Sequence, residues 1–332
     1  MTGHRAGRAR PGTLPGMITA LAGGVGAARF LRGLVQVVPP AEVTAIVNTG
    51  DDDRFHGLLV CPDLDSVTYT LAGAQNPDTG WGLVDETFHT MDAIERYGAP
   101  TWFRLGDRDL ATHLFRTQLV DGGVPLSEAT ARIAEAWNLE VRMLPMTDDS
   151  VATRITVTGT DAGDPAAERE LAMQEWFVKE RCEPPVVRVH FRGADSSRPG
   201  PGVLEALEGA ETILICPSNP VISIGPILAV PGIRDVLVRR RDRVVGVSPI
   251  IAGRPVKGPA DRLMGPLGID VSCVGVAREY REFCSTLVID SGDAARAGEV
   301  EAQGVRAVVA DTLMTDARVA AALARDTLAA VA

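Results

Sequence analysis

No apolar run in this 332-residue chain reaches the roughly 18 residues that a membrane-spanning helix needs. Paired cysteines are missing as well. Cys61, Cys182, Cys216, Cys273 and Cys284 are scattered, odd in number and without a C-x-x-C pair. That spacing argues against a zinc site or a disulfide framework and for reduced thiols in the cytoplasm. Positive charge is in short supply: 33 Lys and Arg face 43 Asp and Glu, for a net charge of −10 and a pI near 5.1. With no basic stripe interleaved with aromatics, the chain argues against nucleic acid as a partner. Phosphate is not excluded, because single arginines, backbone N–H groups and a metal can hold it locally. Two catalytic signatures are absent too. Gly246-Val247-Ser248-Pro249-Ile250 breaks the Gly-x-Ser-x-Gly elbow of a serine hydrolase, and no Gly-Lys-Ser/Thr completes a Walker A loop.

What is present is 45% hydrophobic residues, enough for one large core or a core plus a lobe. Residues 1–16 are basic and rich in Gly and Pro, and read as a disordered tail. The apolar stretch that follows is interrupted by Gly23, Gly24 and Gly26, which suits a first strand better than a secretion signal, and Met17 offers an alternative start.

Residues 17–22 read as a buried strand, 23–26 as a glycine turn, 27–38 as a helix and 43–47 as a second strand. Such a βαβ unit is parallel and right-handed. The glycine turn does not complete a dinucleotide fingerprint: Arg29 stands where the third glycine belongs, and Asn48 ends the second strand where a ribose-binding carboxylate is wanted. What remains is a helix N-terminus with Arg29 in its first turn, suited to a phosphate or diphosphate, or simply a tight turn that needs small residues.

The second strand stops at Asn48-Thr49-Gly50, and Asp51, Asp52 and Asp53 follow at once. Asp63 and Asp65 come a dozen residues later in a Pro-containing turn. Carboxylates gathered at a strand end suit a hard cation such as Mg²⁺, whereas the plainer reading is a solvated acidic loop with capping aspartates. A helix is expected from Ser66, one capped by Asp85, one from Leu110 with His113 as a packed or functional histidine, and one from Leu126.

From residue 141 to 193 the texture becomes β-rich, with 141–145, 152–157 and 186–191 as strands, 160–165 as a polar loop and 170–181 as short helix or irregular. This reads as a smaller α+β insertion between two parts of one domain, 17–140 and 194–332. The fold class expected is α/β, a Rossmann-like doubly wound, mostly parallel sheet. Its strand ends carry polar loops at 23–29, 48–53, 217–225 and 248–258, which should converge on one edge. Phosphate cradles beside carboxylates point to transfer of a phosphate-linked group.

Several segments are more specific than that. They include Leu21-Ala22-Gly23-Gly24-Val25-Gly26-Ala27-Ala28-Arg29-Phe30, Asn48-Thr49-Gly50-Asp51-Asp52, Cys61-Pro62-Asp63-Leu64-Asp65, Gly80-Trp81-Gly82 and Leu105-Gly106-Asp107-Arg108-Asp109-Leu110-Ala111-Thr112-His113. Pro217-Ser218-Asn219-Pro220, Ser223-Ile224-Gly225-Pro226 and Ser248-Pro249-Ile250-Ile251 extend the series. In this order they resemble the 2-phospho-L-lactate transferase family (CofD/FbiA) of coenzyme F420 biosynthesis, and within it the actinobacterial phosphoenolpyruvate-using branch.

The resemblance implies Mg²⁺-dependent transfer of a phospho-three-carbon acid, enolpyruvyl or L-lactyl, from its diphosphate adduct with GMP. The acceptor is the ribityl hydroxyl of the deazaflavin FO (7,8-didemethyl-8-hydroxy-5-deazariboflavin). It implies a cytoplasmic homodimer without a membrane or nucleic-acid partner. Asp51 and Asp65 are the expected catalytic residues, and Asp51, Asp65 and Asp63 the metal ligands, with Asp52 in reserve. Gly24, Gly26, Arg29, Ser218, Asn219, Ser223 and Lys257 would hold phosphates and nucleotide. Asp51, Asp52, Trp81, Thr87, Phe88 and His89 would meet the deazaflavin. The competing readings are a non-catalytic nucleotide- or deazaflavin-binding protein and a nicotinamide-dependent reductase.

Overall fold

The computed structural model describes residues 17–77, 79–159 and 167–331. The 1–16 tail and the whole 160–165 loop lie outside the described residues.

The strands in chain order are β1 (Ile18–Ala22), β2 (Val43–Val47), the hairpin β3 (Asp53–Phe55) and β4 (Leu58–Val60), β5 (Arg142–Pro145), β6 (Ala152–Thr158), β7 (Glu168–Ala172), β8 (Val186–Arg192), β9 (Thr212–Ile215), β10 (Val244–Val247), the short pair β11 (Ile250–Ile251) and β12 (Arg254–Pro255), β13 (Thr286–Asp290) and β14 (Arg306–Ala310). Seven of them form one parallel sheet in the order β14-β13-β10-β9-β1-β2-β5. This is a doubly wound α/β sheet. Winding runs outward from β1 through β2 to β5, then restarts at β9 on the other side of β1. The seam between β1 and β9 is the topological switch point, where such sheets open a crevice at their carboxyl edge.

Burial explains the choice of strands. Every residue of β1, β2, β10 and β13 is buried, as expected of parallel strands covered on both faces. One face packs Leu21, Ile46, Ile213 and Ile215 against the helices of the second part. The other packs Ala20, Val47, Leu214 and Val245 against α1 (Gly24–Leu34), α2 (Pro62–Leu71) and the C-terminal helix Ala317–Ala329. Helix α3 (His89–Glu95), helix α4 (Asp109–Asp121) and helix α5 (Leu126–Ala136) follow.

Three local readings of the sequence change. Arg142–Pro145 pairs in register with β2, from Thr44↔Arg142 to Val47↔Pro145, so it is an edge strand of the main sheet and the insertion begins after it. Its Met-Leu-Pro run is buried, which an alternating pattern concealed. The insertion is a three-stranded antiparallel sheet, β7-β6-β8. Residues 170–181 divide into strand β7 and a single wide helical turn, Glu175–Lys179, whose Trp176 is fully buried. Finally, α2 starts at Pro62 rather than Ser66, so Asp63 and Asp65 stand in its first turn. Proline needs no N–H partner at the first helical position, and carboxylates favour the positive end of the helix.

Candidate active site

The carboxyl-edge loops surround one cavity of about 580 Å³. Gly23, Gly24, Gly26 and Arg29 reach it from the β1 side, and Asp51 from the loop after β2. Asp63, Asp65, Ser66 and Tyr69 reach it from α2, and Pro217, Ser218, Asn219 and Ser223 from the loop after β9. Ser248 and Lys257 follow from the loops after β10, and Thr312 from the loop after β14. The convergence expected of these loops is therefore present, at the switch point.

Asn48 organises the acidic end. Fully buried, it donates from Nδ2 to Asp63 Oδ2 (2.9 Å) and to the Ile222 carbonyl (3.3 Å), while its Oδ1 accepts the Gly50 N–H (2.8 Å). Asp63 Oδ1 accepts the Gly24 N–H at 2.8 Å. One side chain thus ties the turn after β2 to α2 and to the segment after β9. Burial raises Asp63 to about 6, against these hydrogen bonds. Burial pushes Asp51 well above the usual carboxylate range, with the charge of Asp63 adding to the rise and Thr153 opposing it. Burial does the same to Asp52, opposed by the Cys61 thiol and Arg116. Asp51 Oδ1 and Asp52 Oδ1 are buried without a hydrogen-bond partner. Two buried carboxylates and a partly buried third that resist ionising together, two of the three with orphaned oxygens, fit a divalent cation in chemistry and in charge.

Asp65 has a different environment. Arg116, fully buried on α4, engages both its oxygens, Nη1 at 3.2 Å to Oδ2 and Nη2 to Oδ1. His113 lies alongside, with Nδ1 3.6 Å from Asp65 Oδ2 and Nε2 3.2 Å from Asp109 Oδ2. Tyr69 donates its hydroxyl to Asp109 Oδ1 at 2.6 Å. Asp65, Asp109 and His113 lie close enough to clasp a metal between them. The guanidinium of Arg116 already supplies the positive charge there, so a second cation would be repelled.

At the glycine turn, Gly24 has φ +71°, a left-handed conformation that L side chains rarely adopt, and its N–H is spent on Asp63. Gly26 is small for another reason: a Cβ there would collide with the Pro217 carbonyl, so α1 can press against the loop after β9 only with glycine at this place. Ser218 donates to the Gly23 carbonyl (2.8 Å) and joins the same two loops. Asn219 Oδ1 accepts from the Val221 N–H at 2.9 Å, and its Nδ2 is buried without a partner. Lys257 donates to the Thr79 carbonyl at 3.0 Å, and burial together with nearby Arg29 holds its pKa down. Two cations side by side suit an anion between them.

Of the residues singled out in the sequence, Asp51, Asp63, Asp65, Gly24, Gly26, Arg29, Ser218, Asn219, Ser223, Lys257 and Trp81 line this cavity. Asp52 does not line it. Thr87, Phe88 and His89 are outside the lining as well. Asp107 accepts from the Thr87 hydroxyl (2.6 Å) and the His89 N–H (2.9 Å), and Arg104 lies 4.6 Å above the Phe88 ring. The apolar end is walled instead by Val60, Trp102, Phe103 and Leu105, and by Met173 and Phe177 of the insertion. Phe55 stacks on Phe103 from behind at 3.9 Å. The sequence signal for this wall is the Trp102-Phe103 pair just before Leu105, two adjacent aromatics in a chain with few of them.

With that geometry in place, comparison with known proteins is decisive. Residues 18–328 match the 2-phospho-L-lactate transferase CofD family. The chain belongs to that family. A phosphoenolpyruvate transferase of Streptomyces griseus subsp. griseus is 46% identical over 313 residues, covering 94% of this chain and 97% of its own. One from Nocardia farcinica is 43% identical over 329 residues, covering 99% and 98%. Among solved structures, a UPF0052-family protein from Bacillus halodurans superposes with a TM-score of 0.61 at 16% identity, covering 96% of this chain and all of that one. That last likeness speaks to the fold alone. Family membership makes this chain a transferase of coenzyme F420 biosynthesis. Among the described residues, no single helix is long and apolar enough to cross a membrane.

Proposed function

We propose that the enzyme transfers a phosphoenolpyruvyl group from a GMP-linked diphosphate donor to the terminal ribityl hydroxyl of FO, releasing GMP. The observation that carries this reading is a single cavity that joins orphaned carboxylates to a cation pair and to an aromatic wall. Displacement at phosphorus needs alignment and charge neutralisation more than covalent chemistry. The names of the relatives favour phosphoenolpyruvate over 2-phospho-L-lactate as the three-carbon acid.

Arg29 and Lys257, with the remaining first-turn N–H groups of α1, hold the diphosphate. Ser218, Asn219 and Ser223 lie along the same side, and the orphaned Asn219 Nδ2 is free to donate to the nucleotide. Trp102, Phe103 and Leu105, with Trp81 at the rim, take the flat deazaflavin ring. Asp51 and Asp63 are the residues we place first around Mg²⁺, with Asp52 behind them; Asp65 reaches the cavity with both oxygens already on Arg116. Bound there, the cation supplies charge neutralisation at the phosphoryl oxygens and acidifies a nearby hydroxyl. The Asp51 carboxylate, which lines the cavity, would accept the hydroxyl proton. The reaction takes place in the cytoplasm, in a homodimer.

Mass spectrometry of the product tests the reading. Purified protein with Mg²⁺, FO and the enolpyruvyl donor should yield the FO phosphodiester and GMP, and the lactyl donor much less of it. Absence of phosphodiester with either donor would overturn the assignment.

A further inference from the structure

The Tyr69–Asp109–His113 group lines the cavity but has no part in phosphate or metal binding as described above. It differs from an ordinary buried network in one respect. His113 is 1% exposed, and its Nε2, although 3.2 Å from Asp109 Oδ2, is off the line of a hydrogen bond and has no partner. Arg116 Nη1 is 3.4 Å from His113 Nδ1. An imidazole carries at least one N–H in every tautomer, and the Arg116 guanidinium, which can only donate, favours an accepting Nδ1 with the proton on Nε2. The group therefore offers the cavity an N–H donor at His113, a carboxylate acceptor at Asp109 and the phenolic oxygen of Tyr69. A donor and an acceptor side by side are what a vicinal diol requires.

Position along α2 says where such a ligand would sit. Asp63, Ser66 and Tyr69 are spaced at i, i+3 and i+6, and all three line the cavity. At 1.5 Å of rise per residue, Tyr69 stands about 9 Å along the helix from Asp63. The polar group is thus one short chain-length from the Asp51–Asp63 centre, beside the wall of Val60 and Leu105. A five-carbon polyol with its last hydroxyl at the carboxylates and its ring on the aromatic wall would run past Ser66, Tyr69, Asp109 and His113.

We propose that Asp109, Tyr69 and His113 form a polyol subsite that binds the inner hydroxyls of the acceptor's side chain and sets its register, so that only the terminal hydroxyl reaches the reacting phosphorus. This rests on FO being the acceptor. The subsite would select for a hydroxylated chain, because an unhydroxylated one leaves buried donors and acceptors unpaired.

The test compares FO with an analogue carrying the same ring on an unbranched 5-hydroxypentyl chain, in the wild type and in the Asp109→Asn and Tyr69→Phe variants. Wild-type kcat/KM should favour FO by roughly 10²-fold or more. Both variants should compress that preference at least tenfold, mainly by losing the hydroxylated substrate, with the KM for donor unchanged. Equal preference in all three proteins, or no preference in the wild type, would overturn the proposal. Asp109 also packs His113 and Tyr69, so thermal melting identifies an Asp109→Asn variant that has failed to fold. Tyr69→Phe, which removes one oxygen, then carries the result. If the wild type transfers nothing to either acceptor, the functional reading fails on its own account. Equilibrium binding, read from deazaflavin fluorescence, then decides the subsite: weakened FO binding with unchanged analogue binding in the variants upholds it, and equal effects on both refute it.

Discussion

Arg116 and Asp65 form a two-pronged ion pair with both side chains buried, reaching from α4 to the first turn of α2. The pair anchors the helix that carries Asp63 through a carboxylate that reads in sequence as a metal ligand.

Breaking this pair should be costly. Arg116→Met leaves Asp65 charged and uncompensated, a loss of about 3–5 kcal/mol in urea unfolding. The double variant Arg116→Met with Asp65→Leu should recover most of that stability, since replacing a whole buried pair by apolar groups is often neutral. A double variant no more stable than the single one would show that the pair is not where the energy lies.

Asp51→Asn should separate activity from stability. Burial and the neighbouring Asp63 raise the Asp51 pKa, so its ionised form is strained in the folded protein. The amide removes that strain, and the metal-free variant should melt higher than the wild type at pH 7.5. Turnover should fall by roughly 10²-fold or more, because several kcal/mol of charge stabilisation depend on the carboxylate. A variant that keeps wild-type turnover would remove Asp51 from the mechanism.

The acidic cluster also fixes a pH dependence. A carboxyl whose folded pKa lies above its ordinary value stabilises the fold while it is protonated and loses that contribution as pH rises through the folded value. For Asp63 that value is about 6, and Asp51 and Asp52 are displaced in the same direction. Metal-free protein should therefore lose stability as pH rises from about 4 to about 7. Mg²⁺ should raise the melting temperature more at pH 7.5 than at pH 5.5, where protons compete for the same oxygens. Equal Mg²⁺ shifts at both pH values would place the ion elsewhere.

Gly26→Ala should disturb the seam between α1 and the loop after β9. The added methyl meets the Pro217 carbonyl, which is backbone and cannot swing aside. A loss of about 1–3 kcal/mol is expected in unfolding experiments, typical of overpacking.

Much of this was open to reading from local pattern. β1, the glycine turn, β2 and the strands of the second part are apolar runs closed by polar loops, and such runs announce buried parallel strands. Membership of the site was legible wherever a residue stands at a strand's carboxyl end, as Ser218, Asn219 and Asp51 do. The partner of each residue was not legible. Nothing near Asp65 in sequence announces Arg116, 51 residues on, and nothing near Asn48 announces Ile222. Nor does anything near Thr87 announce Asp107, 20 residues on, the acceptor that organises the start of α3 by holding Thr87 and His89. Arg142–Pro145 was misplaced because a strand at a sheet's edge need not be apolar at both ends.

The strand order also bears on how the enzyme is made. β1 is synthesised early, yet one of its edges pairs with β9, which begins at Thr212. Until then the strand has a neighbour on only one side. The Ser218–Gly23 and Asn48–Ile222 bonds span 195 and 174 residues, so the cavity is closed by chain from opposite halves of synthesis. Contacts so distant in sequence slow folding, since the loop between them must be ordered before they form. During synthesis the first 200 residues would expose the apolar side of an unfinished sheet, and the growing chain is vulnerable to aggregation at that stage.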